Sequence, residues 1–188
     1  KMISKDREYR NFSIDTNEQG AIIEGYAVVF NELTVMYEDE QGIKYYEKID
    51  KNALTKTDLT DVVLNIDHAG KPLARTKNKT LSLTIDNKGL FIRAELKSEE
   101  GKRLYEEVKQ GLFDEMSFAF TVNDEEFDRT TRTRTIKDIK KLYDVSVCTR
   151  GAYSQTSIIA RSYYEQQAQK EADTQRLELL KRKYKYIS

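Results

Sequence analysis

The chain has 188 residues and a mass of 21.9 kDa, enough for one well-buried domain with an appendage but too few for two full domains. Its 32 basic and 32 acidic residues cancel, so overall charge gives no reason to expect a nucleic-acid or anionic-membrane surface. A single cysteine, Cys148, argues against a disulfide framework and a cysteine-rich zinc site, and favours a reducing cytoplasm. The lack of a long apolar stretch argues against a membrane span, so a soluble protein is expected.

Up to residue 161, short segments rich in β-branched and aromatic residues alternate with Gly, Asn and Asp. Segments of this kind at this spacing are typical of a mainly β barrel or sandwich. The nine predicted strands are Tyr9–Asp15, Ala21–Phe30, Ile43–Ile49, Asp61–Asp67, Thr80–Asp86, Leu90–Leu96, Met116–Val122, Thr133–Leu142 and Tyr143–Cys148.

Two local elements have specific signatures. The segment Asn87–Gly89 joins two alternating strands, which predicts a β-hairpin with Gly89 at a positive φ. The segment from Ser98 to Gly111 begins with a capping residue and ends in glycine, which predicts a short helix. Its apolar residues recur at helical spacing and should be buried; they are Leu104, Tyr105 and Val108.

The C-terminal part differs in composition. Residues 163–187 lack Gly and Pro and are rich in helix formers, so we predict a barrel domain at 1–161 and a helical tail at 162–188. The apolar face of the tail could dock on its own domain, pair with a second copy or bind a partner; its members are Leu177, Leu180, Tyr184 and Ile187. The basic and aromatic cluster 181–185 is too short to predict a specific nucleic-acid site. The polar segment 123–134 is interpreted as a mobile loop.

The single histidine, His68, follows the predicted strand Asp61–Asp67 and precedes a predicted turn at Ala69–Pro72. Histidine is the side chain that ordinarily changes charge near neutral pH, so a general base here is either His68 or an unusually shifted carboxylate or lysine. A polar histidine with no chemical role beside a turn is the alternative.

Two polar residues interrupt apolar strands. Ser117 lies within the apolar run 116–120, where an unpaired hydroxyl would cost about 1–3 kcal/mol. Its partner is either a neighbouring backbone carbonyl or His68, in which case it is a nucleophile, although no Gly-x-Ser-x-Gly elbow surrounds it. Asp144 shares a strand face with Ser146 and needs a cationic or N–H partner, which His68 could supply.

A series of short motifs runs from about Tyr9 to Arg161, and their order is distinctive although each is weak alone. The motifs are Glu24–Phe30, Tyr46–Ile49, Asn52–Leu54, Val62–His68, Leu73–Thr76, Gly89-Leu90, Met116–Phe120, Leu142–Val147, Thr149 and Ala152-Tyr153. In these segments the chain resembles the prohead, or capsid-maturation, protease family of tailed bacteriophages. These serine peptidases have a fold related to that of the herpesvirus assembly proteases.

The resemblance implies a herpesvirus-protease-like β-barrel with flanking helices and a C-terminal helix, and a serine endopeptidase that works by acyl transfer. The family's base falls on His68, its nucleophile on Ser117 and its acidic member on Asp144. In the related viral proteases an arginine soon after the third member helps form the oxyanion hole, and Arg150 is the matching residue. A surface ion pair is the alternative role for Arg150. The resemblance implies no cofactor and no metal.

The implied substrate is the scaffold or delta domain of the major capsid protein, together with the protease itself. Cleavage would take place inside the phage procapsid, in the cytoplasm of the bacterial host. Related viral enzymes dimerise, so a homo-oligomer stays open, whereas no membrane or specific nucleic-acid partner is implied. One hypothesis for residues 163–188 is that they hold the enzyme to the shell or scaffold, or are trimmed during self-processing.

Three departures from the family pattern keep other functions open. Family members commonly carry Glu at the place of Asp144, Asp at that of Ala69 and Pro at that of Gly151. A catalytically degenerate capsid-assembly or scaffolding protein with the same fold is therefore the main alternative. A thiol protease that pairs Cys148 with His68 is disfavoured, because Cys148 lies in mid-strand without a basic neighbour to lower its pKa.

Overall fold

A computed structural model of the chain describes residues 8–13, 15–17, 20–148 and 157–185, with side chains from 20 to 148 and from 162 to 183. These residues form a mainly β structure of the α+β class, as expected. The helices are α1 (Glu99–Lys109) and α2 (Ser157–Lys185). The strands are β1 (Glu8–Ser13), β2 (Asp15–Asn17), β3 (Ile22–Val29), β4 (Thr34–Glu38), β5 (Lys44–Ile49), β6 (Val63–Ile66), β7 (Ala69–Arg75), β8 (Leu81–Ile85), β9 (Gly89–Glu95), β10 (Glu115–Asp128) and β11 (Thr133–Cys148).

The described strands form two sheets, and no closed barrel is found among them. The larger sheet has seven strands in the order β1-β10-β11-β5-β4, with β6 also paired to β11 and β7 to β6. The smaller sheet has the order β2-β3-β9-β8. Apolar residues that alternate along these strands meet in one core, which also receives the buried face of α1. The expected barrel is thus replaced by two hydrogen-bonded sheets around a shared core.

The hairpin of β10 and β11 is the longest pairing of the fold, and it corrects two predictions. The predicted loop 123–134 is wrong, because β10 continues to Asp128 and β11 begins at Thr133. The polar side chains that suggested a loop lie mostly on the exposed part of this hairpin. The predicted break after Leu142 is also wrong, since β11 is one strand. Tyr143 is an extra residue there, forming a β-bulge in continuous pairing.

The hairpin of β8 and β9 is confirmed, but Gly89 serves a different purpose from the one predicted. It has no positive φ; instead, a Cβ atom at this position would lie 1.8 Å from the Val28 carbonyl oxygen of β3. The glycine is therefore required by the close approach of a neighbouring strand. Asp86 closes the turn by accepting hydrogen bonds from the backbone N–H groups of Lys88 and Gly89, at 2.8 and 2.9 Å.

Both predicted helices are present. In α1 the Ser98 hydroxyl accepts a hydrogen bond from the Gly101 N–H at 3.0 Å, and Gly111 has a φ of 74° just beyond the helix. The predicted buried residues Leu104, Tyr105 and Val108 are buried. No helix in the described ranges combines the length and the apolar character needed to cross a membrane.

Helix α2 begins at Ser157, and its residue Tyr164 contacts the large sheet. Tyr164 is fully buried against Tyr45, with 6.0 Å between the ring centroids. Farther along the helix, Leu177 and Leu180 of the predicted apolar face are exposed. The side chains of Tyr184 and Ile187 lie outside the described residues, and the domain boundary at residue 161 stays a prediction.

A buried charge cluster joins this helix to the hairpin. Arg134 on β11 is 4% exposed and donates to the Glu47 carboxylate on β5 at 3.0 Å and to Glu125 on β10. Its guanidinium lies 4.7 Å from the centre of the Tyr163 ring. Glu47 is 2% exposed, so its charge is stabilised mainly by contacts within the protein. Nothing in the polar segment 123–134 indicated a buried arginine.

We predict that Arg134→Met lowers the free energy of unfolding by about 3–5 kcal/mol, because it leaves the buried Glu47 carboxylate without its cation. Urea denaturation monitored by circular dichroism measures this change. The matched control is Arg103→Met on α1, whose side chain is 81% exposed in its ion pair with Glu107 and should contribute less than about 1 kcal/mol. Equal effects of the two substitutions would contradict the role given to the buried cluster.

Candidate active site

Three neighbouring strands of the large sheet carry the candidate residues. Ser117 on β10 is paired with Ser146 on β11, and Ser146 is paired in the parallel direction with Asn65 on β6. Asp144 lies two residues before Ser146, on the same face of β11. Since cross-strand partners project from the same face, these polar side chains gather on one side of the sheet.

The backbone turn that carries His68 has an uncommon conformation. Strand β6 ends at Ile66 and β7 begins at Ala69, so the turn consists of Asp67 and His68, with φ values of 47° and 56°. Left-handed backbone costs a non-glycine residue about 1–2 kcal/mol. The turn predicted at Ala69–Pro72 is wrong, because the chain has already reversed when it reaches these residues.

Two hydrogen bonds from this turn reach β11. The Asp67 N–H donates to the Val147 carbonyl at 3.1 Å, which extends the parallel pairing of β6 and β11 by one step. The His68 N–H donates to the Ser146 hydroxyl at 3.0 Å. The left-handed turn is therefore fixed to the strand that also carries Asp144.

The imidazole of His68 lies between the two other candidate side chains. Its Nε2 is 2.8 Å from Ser117 Oγ, and its Nδ1 is 2.5 Å from Asp144 Oδ1. In the imidazole tautomer with its proton on Nδ1, the N–H faces the Asp144 carboxylate, which can accept it. Nε2 of that tautomer is able to accept the hydroxyl proton of Ser117.

The three side chains are largely buried. Ser117 is fully buried, and the side chains of His68 and Asp144 are 10% and 8% exposed. Asp144 follows the bulge at Tyr143, and bulges commonly change the direction in which a neighbouring side chain points. A hydroxyl bonded to a base that is itself oriented by a carboxylate is the geometry of an activated nucleophile.

Sequence reasoning assigned no role to two further residues of this face. Ser146 is fully buried and contacts both His68 and Asp144. Asn65 is 8% exposed, and its Oδ1 has no hydrogen-bond partner in the part of the chain that is described. The i, i+2 spacing of Asp144 and Ser146 could have indicated a role for Ser146, because it places both side chains on one strand face.

The expected oxyanion residue, Arg150, and the neighbouring departure at Gly151 lie outside the described residues. Within the described ranges, no group of three or more His, Cys, Asp or Glu side chains is arranged to hold a metal ion.

Cys148, the alternative nucleophile, is at the end of β11 and 2% exposed. Burial, followed by the negative charge of Asp67, raises the pKa of its thiol to about 12. A thiol that remains protonated at neutral pH is a poor nucleophile, because the thiolate is the reactive form. The environment of Cys148 therefore disfavours a thiol mechanism.

Comparisons with known proteins identify a family for this chain. A family model described as caudovirus prohead serine protease matches residues 8–171. The protein named prohead protease of Enterobacteria phage HK97 is 32% identical over 162 residues, which are 85% of this chain and 68% of that protein. No solved structure matches the chain.

We predict that iodoacetamide fails to alkylate Cys148 in the folded protein at pH 8, because the raised pKa keeps the thiol protonated and burial blocks access. The unfolded chain in urea should react at the rate of an ordinary cysteine. Intact-mass spectrometry follows both reactions. Rapid alkylation of the folded protein, with loss of any proteolytic activity, would restore Cys148 as a nucleophile.

Proposed function

The chain belongs to the caudovirus prohead serine protease family, and on that basis we propose that it cleaves capsid-associated protein inside the phage procapsid. The proposed substrates are the scaffold or delta domain of the major capsid protein and the protease itself. The place of action is the assembling procapsid in the cytoplasm of the bacterial host. Enclosure keeps enzyme and substrate at a high effective concentration, which reduces the turnover that the enzyme needs.

The observation that carries the proposal is the 2.8 Å contact between His68 Nε2 and Ser117 Oγ. These residues are 49 positions apart in the chain, so only the tertiary structure brings them together. A general base must lie within hydrogen-bond reach of the proton it removes, and this pair meets that requirement without rearrangement.

In the proposed mechanism, His68 Nε2 removes the Ser117 proton as the serine oxygen attacks the carbonyl carbon of the scissile peptide. The tetrahedral intermediate collapses when the imidazolium donates that proton to the leaving amine, and an acyl-enzyme on Ser117 results. Water then attacks the ester with His68 as the base again, which releases the acid and restores the serine.

Asp144 has two tasks in this mechanism. It holds His68 in the tautomer that leaves Nε2 able to accept a proton, and its negative charge stabilises the imidazolium. Although the family commonly has the longer Glu here, Asp144 contacts Nδ1 directly at 2.5 Å. The shorter side chain therefore does not require a bridging water.

The same proposal includes three further expectations. They are that Arg150 is an oxyanion residue, that the fold is related to that of the herpesvirus assembly proteases, and that the protein forms homo-oligomers. Each stays a prediction that comes from the family resemblance. The 1–161 domain and 162–188 tail are proposed on the composition change near residue 161.

We predict that Ser117→Ala and His68→Ala each reduce cleavage of the phage's own major capsid protein precursor by at least about a thousandfold. Purified enzyme is incubated with the precursor, and fragments are quantified by mass spectrometry. The control is Ser82→Ala, which removes an exposed hydroxyl bonded to the Arg93 carbonyl on β9 and should cleave normally. An intact precursor with every protein, including the wild type, would favour the scaffolding alternative.

Substitutions of Asp144 should separate the effect of its negative charge on activity from the effect of its side-chain length. Asp144→Asn is expected to lower kcat on the order of 10³–10⁴-fold, because an amide can donate to Nδ1 and favour the wrong histidine tautomer. Asp144→Glu, which has the residue common in the family, should retain most of the activity. The two variants are compared with wild type in the same cleavage assay. If the Asn variant were as active as the Glu variant, Asp144 would have no part in orienting His68.

A further inference from the structure

We propose that Ser146 is a positioning residue of this site: its hydroxyl fixes the backbone of His68 and the carboxylate of Asp144 relative to each other. This inference rests on the proposed function and extends it by a fourth side chain. Ser146 does not contact Ser117 through any described hydrogen bond, so its effect on the reaction passes through the two residues it binds.

The contacts of Ser146 form a closed path. The His68 backbone N–H donates to Ser146 Oγ at 3.0 Å, and Ser146 Oγ donates to Asp144 Oδ1 at 3.1 Å. The same Oδ1 atom accepts from the His68 ring at 2.5 Å. The main chain and the side chain of one histidine are thereby tied together through two residues of β11.

The direction of these bonds follows from the available protons. A serine hydroxyl has one proton and two lone pairs, and an ionised carboxylate can only accept. The Ser146 proton therefore goes to Asp144, and a lone pair remains for the His68 N–H. Because Ser146 is fully buried, an apolar replacement would leave both the amide and the carboxylate without this partner and without ready access to water.

This path of hydrogen bonds has its largest effect on the backbone turn that carries His68. His68 has a φ of 56°, a conformation that a non-glycine residue holds only when its surroundings enforce it. The bond to Ser146 is the described contact that fixes the His68 amide. Its loss would leave the turn held to β11 through the Asp67 N–H and would let His68 shift. A displacement of the imidazole by about 1 Å is enough to cost on the order of a hundredfold in rate.

The test uses the fact that His68 is the single histidine of the chain, so that its imidazole gives one set of NMR signals in tag-free protein. In Ser146→Ala we expect the His68 amide and Nδ1–H protons to exchange with water at least about tenfold faster than in the wild type. Cleavage of the major capsid protein precursor should show a kcat lowered about ten- to a hundredfold with KM unchanged.

Ser146→Cys has the same shape, is slightly larger and offers only a weak donor and acceptor, so it should resemble the alanine variant without leaving a cavity. The matched control is Thr121→Val on β10, which removes a buried hydroxyl that has no described hydrogen-bond partner. This control should leave the proton exchange at His68 and kcat unchanged.

Wild-type exchange and wild-type kcat in the Ser146→Cys variant would overturn the positioning role. The proposed function would still stand in that case, provided that Ser117→Ala is inactive. Conversely, cleavage by Ser117→Ala would contradict the proposed function, whereas the exchange measurements on His68 would still decide whether Ser146 holds the turn.

Discussion

The parallel pairing of β6 with β11 positions His68 against the other side chains of the candidate active site. It aligns Val63 to Ile66 with Asp144 to Val147 and continues into the Asp67 hydrogen bond. His68, two residues beyond the end of β6, is thereby placed beside the strand that carries Asp144. Antiparallel pairing of β11 with β10 adds the serine from the other side. Two strand registers thus fix three side chains that are distant in sequence, and a shift of one residue in either register would send one of them to the opposite face.

The same arrangement explains why the strained turn is retained. Two consecutive residues with positive φ would normally favour Asn-Gly, yet this turn is Asp67-His68. The strain is offset by hydrogen bonds to Val147 and Ser146, and it places the imidazole within reach of both Ser117 and Asp144. A tight two-residue turn also leaves the ring little freedom to move away from the serine.

Much of the fold follows from local patterns in the sequence. The alternating strands, the Ser98-capped helix and the Gly-free C-terminal helix are all present, because each is determined by residues close together in the chain. The predictions that were wrong depend on contacts between residues that are distant in the sequence. The polar half of the β10–β11 hairpin is extended because its strands pair with each other and Arg134 is buried against carboxylates from other elements. Gly89 is required by the Val28 carbonyl of β3, 61 residues earlier, which no local motif encodes.

For the site, the residues alone favoured an ordinary polar role for Ser117 and His68 over a catalytic one, and the family resemblance supplied their pairing. Their role as nucleophile and base is tested most directly by covalent labelling with a fluorophosphonate, followed by peptide mapping of the adduct by mass spectrometry. One adduct is expected, on Ser117, which forms in the wild type and is lost in His68→Ala. An adduct on another residue, or equal labelling of Ser117 without the imidazole, would contradict it.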